Sequence, residues 1–470
     1  MKTRPRRSCL PWAPRRLTGL ALAFLGLGLA PFAHASLLVK NAMFLTMKPG
    51  ETKPVTGYLL ADDHGRITAL AAGEPPAGTT ATTKVDGSGR IIIPGFISAH
   101  SHLFQSALRG LGADQYVRGW GLAVRVYSVY ATDEDLYWFT LHGALDHLRH
   151  GITGVFNFGY GHRAGTYNDE QLQGLLDSGI RFVHAFAQAR TLPVAEQYQS
   201  FLDYYAFAKP HLTDPHFLRL GITGQGATPE QTRFDKRLMD EFHVLNETHF
   251  LELPLGKEEQ QSHFQYFIDA GTLGPDQFFG HFIHTTDDML KKVAAAGGGM
   301  SWQPLSNGRL ASGIADIPKY LSLGVKVGMG VDGQASADLP DPFENMRVGL
   351  YFLRARYEDA AIMQPIDILR LHTLGSAEVM GVADRIGSLE VGKFADFVIL
   401  NPAGGIDRAP VFDPYATVVF ACNSANIEAV YVGGEKVIDH VEPVKADMAK
   451  VSAEVATRVA RMREVARAKK

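Results

Sequence analysis

Cysteine is nearly absent, at two in 470 residues. Cys9 lies in an amino-terminal segment that reads as removable, which leaves Cys422 alone in the mature chain. An intrachain disulfide is thereby excluded, and Cys422 is expected to be a packed thiol and not a nucleophile. Charge of one sign is also missing: 46 Lys and Arg stand against 49 Asp and Glu, a formal net charge of -3. With no basic patch interleaved with aromatics, nucleic acid and acidic surfaces are not expected partners, and a small molecule is. The apolar run from Leu17 to Leu29 is too short for a comfortable membrane span, and no stable membrane insertion is expected once the amino-terminal segment is removed. What remains is an ordinary soluble composition, 46% hydrophobic and 20% charged, able to bury a large core.

The first residues, MKTRPRRSCLPWAPRRLTGLALAFLGLGLAPFAHAS, have a basic start, an apolar run from Leu17 to Leu29, and Ala33-His34-Ala35 before Ser36. That is the layout of a cleavable export signal over 1–35, predicting a periplasmic or secreted protein. Arg15-Arg16 raises a twin-arginine route, but the fuller consensus does not surround it, so the route stays open.

Short apolar runs separated by Gly, Asp and Pro fill 36–93 (Leu37 to Val39, Tyr58 to Leu60, Ile67 to Leu70). The same texture returns over 386–442 (Phe397 to Leu400, Thr417 to Phe420, Ile427 to Val432). Both flanks together predict one small β-sandwich domain. Gly387 to Lys393, GSLEVGK, fits a phosphate-loop spacing, yet Phe394 replaces the Ser or Thr and a strand follows where a helix is required, so nucleotide binding is rejected. Residues 443–470 carry alanine, valine and charge at helical spacing and predict a surface helix whose basic end is a solvated face.

Between them, 94–385 alternates strand-like and helical runs. The strand candidates are Phe96 to His102, Gly151 to Phe156, Arg181 to Phe186, Leu218 to Ile222, Val244 to Leu251, Phe278 to His284, Gly299 to Trp302 and Val325 to Gly330. Asp133 to His150, Pro229 to Phe242, Thr286 to Ala296 and Pro342 to Tyr357 are helical between them. Eight strands alternating with helices predict an α/β fold, a parallel (β/α)8 TIM barrel.

The first barrel strand contains His100-Ser101-His102, and alternate strand residues share a face, so both imidazoles can reach one divalent cation. In the barrel fold chemistry gathers at the carboxyl ends of strands. His249 and Glu252 stand three residues apart where the fifth strand runs out, His281 lies in the sixth, and Asp332 follows the eighth. Each alone has an ordinary structural role, as a packed histidine, a solvated acid or a turn former. Together they converge on one rim. His142, His147 and His150 lie on a helical pattern without paired carboxylates and are expected to be structural or surface residues.

PGFISAHSHLFQSALRG, THFLE, GHFIH, PLSNGRLASGIADIP, GMGVDG and GSLEVGKFADFVIL, in this order, resemble the amidohydrolase superfamily, in the branch of cytosine and guanine-type deaminases and triazine hydrolases. The resemblance covers nearly all of the mature chain. It implies that His100, His102, His249 and Asp332 hold one divalent metal ion, Zn²⁺ first with Fe²⁺ as the alternative. It gives Glu252 the proton shuttle and His281 the polarising role. Binuclear members use a carboxylated lysine on the fourth strand; Leu218 to Gly226 contains none, which favours one metal.

On that reading Asp332 takes a proton from the attacking water, Glu252 carries one to the ring nitrogen and then to the departing amine, and His281 stabilises the developing hydroxyl. Gln105 is either a ring-edge contact or a plain helix-start residue, and Trp120 either stacks on a planar ring or is core. Asn307 belongs with a substrate-facing loop, and Arg309 could face an anion. The leading function is hydrolysis of a C–N bond in a small nitrogen heterocycle; amide, carbamate or halide hydrolysis on the same site is the alternative, and a non-catalytic relative, which would have lost ligands, is the remote one. A homo-oligomer stays open.

Overall fold

The computed structural model describes residues 37–159, 167–189, 192–224, 226–402 and 410–469. The expected export signal lies outside the described residues. Among those residues, no helix is long and apolar enough to cross a membrane.

The amino-terminal flank supplies β1 (Leu37–Phe44), β2 (Val55–Ala61), β3 (Ile67–Ala72), β4 (Thr83–Asp86) and β5 (Ile91–Pro94). The barrel follows as β6 (Phe96–His102), β7 (Ile152–Phe158), β8 (Arg181–Phe186), β9 (Phe217–Thr223), β10 (Leu245–Phe250), β11 (Gln277–His281), β12 (Gly299–Trp302), β13 (Lys326–Met329) and β14 (Asp332–Gly333). The carboxyl-terminal flank adds β15 (Phe397–Leu400), β16 (Ile427–Val432), β17 (Glu435–Asp439) and β18 (Glu442–Pro443).

Both flanks meet in one nine-stranded sheet, as the shared texture of the two ends implies. β5 is the seam: it pairs parallel with β1 and antiparallel with β15, so Ile92 and Ile93 face Ile399 and Val398 across a ladder formed from the two ends of the chain. The GSLEVGK run leads into β15 and not into a helix, which bears out its rejection as a phosphate loop.

The second sheet runs β13-β12-β11-β10-β9-β8-β7-β6-β14, parallel throughout, and is a (β/α)8 barrel. The eighth strand differs from its expected form. It is interrupted after Met329, and its continuation β14 pairs with β6, Asp332 opposite Ser101 and Gly333 opposite His102. The interruption closes the ring and puts Asp332 beside the His-x-His strand. Sequence bounds are otherwise off mainly at strand ends: the sixth strand stops at His281, because Phe282 turns left-handed (φ 45) and stacks on Phe279 at 4.5 Å.

Helices start where side chains satisfy the free amide groups of the first turn. Thr132 and Asp135 form a reciprocal cap for Asp133–Arg149, and Thr228 and Thr286 cap Pro229–Phe242 and Asp287–Ala296. The tail helix, Met448–Ala468, is a surface helix, as expected: it buries Val451, Val455, Met462 and Ala466 on one side, and its basic end, with Arg463, Arg467 and Lys469, is exposed. Midway along it, Arg458 Nη2 lies 2.5 Å from Glu134 Oε1, and Arg461 pairs with Asp135. Cys422 is fully buried and forms no disulfide among the described residues.

Candidate metal centre

On β6 the strand period places His100 and His102 on the interior face, both buried. Ser101 between them points outward, its Oγ 2.7 Å from Ser98 Oγ and 3.2 Å from His147 Nε2, so the strand is tied to the following helix from behind. β10 presents Glu247 and His249 at the same period, and Leu251 (φ 57) turns the chain so that Glu252 follows at the rim. His281 (φ 66) and Asp332 (φ 59) also hold left-handed backbone at strand ends. Such conformations cost about 1–3 kcal/mol each and cluster where a side chain must be aimed.

The donor atoms converge. His102 Nε2 lies 3.2 Å and His100 Nε2 3.4 Å from Asp332 Oδ1, and His249 Nε2 lies 3.3 Å from His102 Nε2. A tetrahedral ion with bonds of about 2.0–2.1 Å separates its ligand atoms by about 3.3–3.4 Å. Three pairs among the four donor atoms stand at that spacing, which suits a divalent ion, and three imidazoles with one carboxylate are a borderline donor set suited to zinc or iron. Two groupings of possible metal ligands occur among the described residues, His100 with His102 and His249, and His100 with His281 and Asp332. They share His100 and describe one centre.

On His100 and His102 the ring nitrogen facing away from the centre has a partner that fixes the imidazole. His102 Nδ1 donates to the Phe158 carbonyl at 2.8 Å, and His100 Nδ1 lies 2.5 Å from Glu247 Oε1. Burial pushes His102 and His249 down, the latter well below the ordinary histidine value, so both rings are neutral and able to ligate. Burial pushes His100 down too, but the Glu247 and Asp332 carboxylates outweigh it and raise the ring to about 10. Against burial, the hydrogen bonds from His100 and His102 keep Asp332 well below the carboxylate range. The cluster therefore demands positive charge, and without an ion a proton on His100 supplies it.

Beside this centre, His281 Nδ1 lies 3.7 Å from Glu252 Oε1. Burial, then the Asp332 charge, raises Glu252 to about 8, and burial lowers His281 to about 3. A neutral acid thus stands next to a neutral imidazole. Asn307 is not simply substrate-facing: its Nδ2 lies 2.8 Å from His281 Nδ1, while the His281 amide donates to Gln303 Oε1 at 3.0 Å. Gln105 is buried just behind β6 with its Oε1 unpartnered, and a Cβ on Gly333 would come within 1.8 Å of that oxygen. It thus stands against Gly333, the residue after Asp332.

Trp120 is not brought to the centre. It packs with Phe104, Leu108 and Val124, and its indole N–H donates to the Ala335 carbonyl at 2.7 Å. Arg309 is likewise engaged, by Asp338 at 2.6 Å. His147 is buried as expected, but His150 does have a carboxylate, Asp146, at 3.5 Å. Sequence reasoning passed over Glu247 and Gln303. Glu247 was readable, since it stands two before His249 on the same strand face; Gln303 was not, because it acts through a backbone amide 22 residues away.

A match to the amidohydrolase family spans residues 91–437. Among curated relatives, the 5-methylthioadenosine/S-adenosylhomocysteine deaminase of Desulforudis audaxviator is 27% identical over 86% of this chain and 93% of its own. That of Symbiobacterium thermophilum is 26% identical over 89% and 99%. Among solved structures, an adenosine deaminase from Xanthomonas campestris with bound zinc superposes with a TM-score of 0.80 at 20% identity, covering 91% of this chain and 98% of that one. The atrazine chlorohydrolase of Arthrobacter aurescens complexed with zinc gives 0.81 at 23%, covering 90% and 100%.

Proposed function

The chain belongs to the amidohydrolase family, and on that premise we propose that it hydrolyses a C–N bond, other than a peptide bond, in a small nitrogen heterocycle. His100, His102, His249 and Asp332 hold one divalent ion, zinc first. The observation that carries this reading is the spacing of their donor atoms, 3.2–3.4 Å, next to a carboxyl that keeps its proton near neutrality. An ion at such a centre supplies Lewis acidity and makes a water ionise near pH 7 instead of at 15.7.

The chain's own residues do the rest. Asp332, ionised at neutral pH, accepts the proton of the attacking water. Glu252 gives its proton to the ring nitrogen next to the attacked carbon, takes over the proton that Asp332 drew from the water and passes it to the leaving amine; as the C–N bond breaks, the proton of the new hydroxyl returns to Glu252. His281, held by Asn307 and Gln303, stabilises the oxygen that develops at that carbon. Gln105, with a carbonyl oxygen unspent beside Asp332, reads the edge of the ring.

The relatives' name makes an adenine-type ring the first substrate class, with ammonia as the leaving group. Ammonia release from adenine nucleosides, pterins and triazines by the mature protein, with loss of release in Glu252→Gln, tests the reading. Hydrolysis without ammonia would transfer the same residues to another leaving group. The basic and apolar pattern of 1–35 supports export, with cleavage before Ser36.

A further inference from the structure

Glu247 takes no step in the reaction above, yet it is a carboxylate fully enclosed within the barrel. Its side chain is wholly buried, and no hydrogen-bond donor other than His100 reaches either oxygen among the described residues. A buried carboxylate is costly unless something requires its charge. Here the geometry shows what that is. Glu247 Oε1 lies 2.5 Å from His100 Nδ1, while Nε2 of the same ring faces Asp332 Oδ1 at 3.4 Å. The carboxylate and the metal position thus lie on opposite edges of one imidazole.

The neighbouring strand makes room for the contact. In the β10–β11 register Gly280 pairs with His249, and a Cβ at 280 would stand 2.8 Å from Glu247 Oε1 and 3.5 Å from His100 Nδ1. On the other side a Cβ at Gly330 would stand 2.8 Å from the His100 Cβ. Two glycines therefore leave space for this ring and its carboxylate and for nothing larger. The outer nitrogen of His102 meets a backbone carbonyl, that of Phe158, whereas that of His100 meets a carboxylate.

We propose that Glu247 is the positioning residue of the metal centre. Its Oε1 accepts the hydrogen bond that His100 Nδ1–H donates, so that the ring presents an electron-rich Nε2 to the ion in a single orientation. Its charge and that of Asp332 together balance a divalent cation held by three neutral imidazoles. The inference rests on the reading of His100, His102, His249 and Asp332 as ion ligands.

Zinc affinity, measured by competition with a chromophoric chelator on the mature protein stripped and reloaded, tests it. The visible bands of the cobalt-loaded form serve as the second readout. Glu247→Gln keeps the shape and removes the charge; its zinc affinity falls 10–100-fold, as loss of a ligand's outer partner typically gives, and its cobalt bands shift. Gly280→Ala, which pushes on the carboxylate without altering it, moves both readouts in the same direction and carries the test if the Gln variant does not fold. Parental affinity and unchanged cobalt bands in the variant that folds overturn the proposal alone. A parent protein that takes up no ion overturns the underlying reading with it.

Discussion

Glu252 Oε1 stands 3.7 Å from His281 Nδ1, and the Asn307 amide nitrogen stands 2.8 Å from the same ring nitrogen. Burial acts on both partners in opposite senses. It raises the carboxyl to about 8 and lowers the imidazole to about 3, so each is neutral at pH 7. Two titratable groups driven apart in this way divide the labour of acid and polariser.

Glu252→Gln removes the transferable proton and leaves the ion's ligands intact. The turnover number falls by about 10²–10⁴, and metal content stays at the parental value. Parental turnover in this variant contradicts the shuttle role.

Asn307→Ala frees His281 Nδ1 and leaves the ring to swing. One lost hydrogen bond in a buried site costs about 1–3 kcal/mol. The loss falls on the turnover number more than on KM, because His281 acts on charge that develops during the reaction. A rise in KM alone would instead assign Asn307 to substrate.

Trp120→Phe deletes the bond to the Ala335 carbonyl, three residues after Asp332. Stability falls by about 1 kcal/mol, read as a lower urea midpoint, and KM for a planar ring substrate is unchanged. Unchanged stability with a raised KM would restore Trp120 as a stacking residue.

Three histidines outside the ion's ligand set predict acid sensitivity. Burial holds His147, His184 and His372 each at about 4, against an ordinary 6.5. The unfolded chain takes up protons at 6.5 that the folded chain refuses until about 4, so stability is complete above pH 6.5 and declines as pH falls toward 4. At pH 5 each has lost about 2 kcal/mol. In His372→Gln the drop in unfolding free energy between pH 7 and pH 5 is smaller by about that amount; an identical drop contradicts the assignment.

Much of the centre was legible because a strand has a period of two. His100 and His102 share a face for that reason alone, and His249 and Glu252 were placed by the rule that barrel chemistry sits at strand ends. The same period reaches Glu247, whose meaning depends on what faces it: only the structure shows that residue 280 on the next strand is a glycine that leaves it room. Trp120 was ambiguous because its partner lies 215 residues away. The break in the eighth strand was hidden for a related reason. Gly330-Val331-Asp332 reads as a strand running out, and its return to β6 is a pairing that no local pattern carries.

The central claim is that four side chains from three separate strands hold one ion. Elemental analysis of the mature protein, beside the His249→Ala variant, tests it most directly. The account predicts one zinc or iron per parent chain and a stoichiometry well below one in the variant. A folded parent that holds no ion after reloading, or a variant that holds as much as the parent, would contradict it.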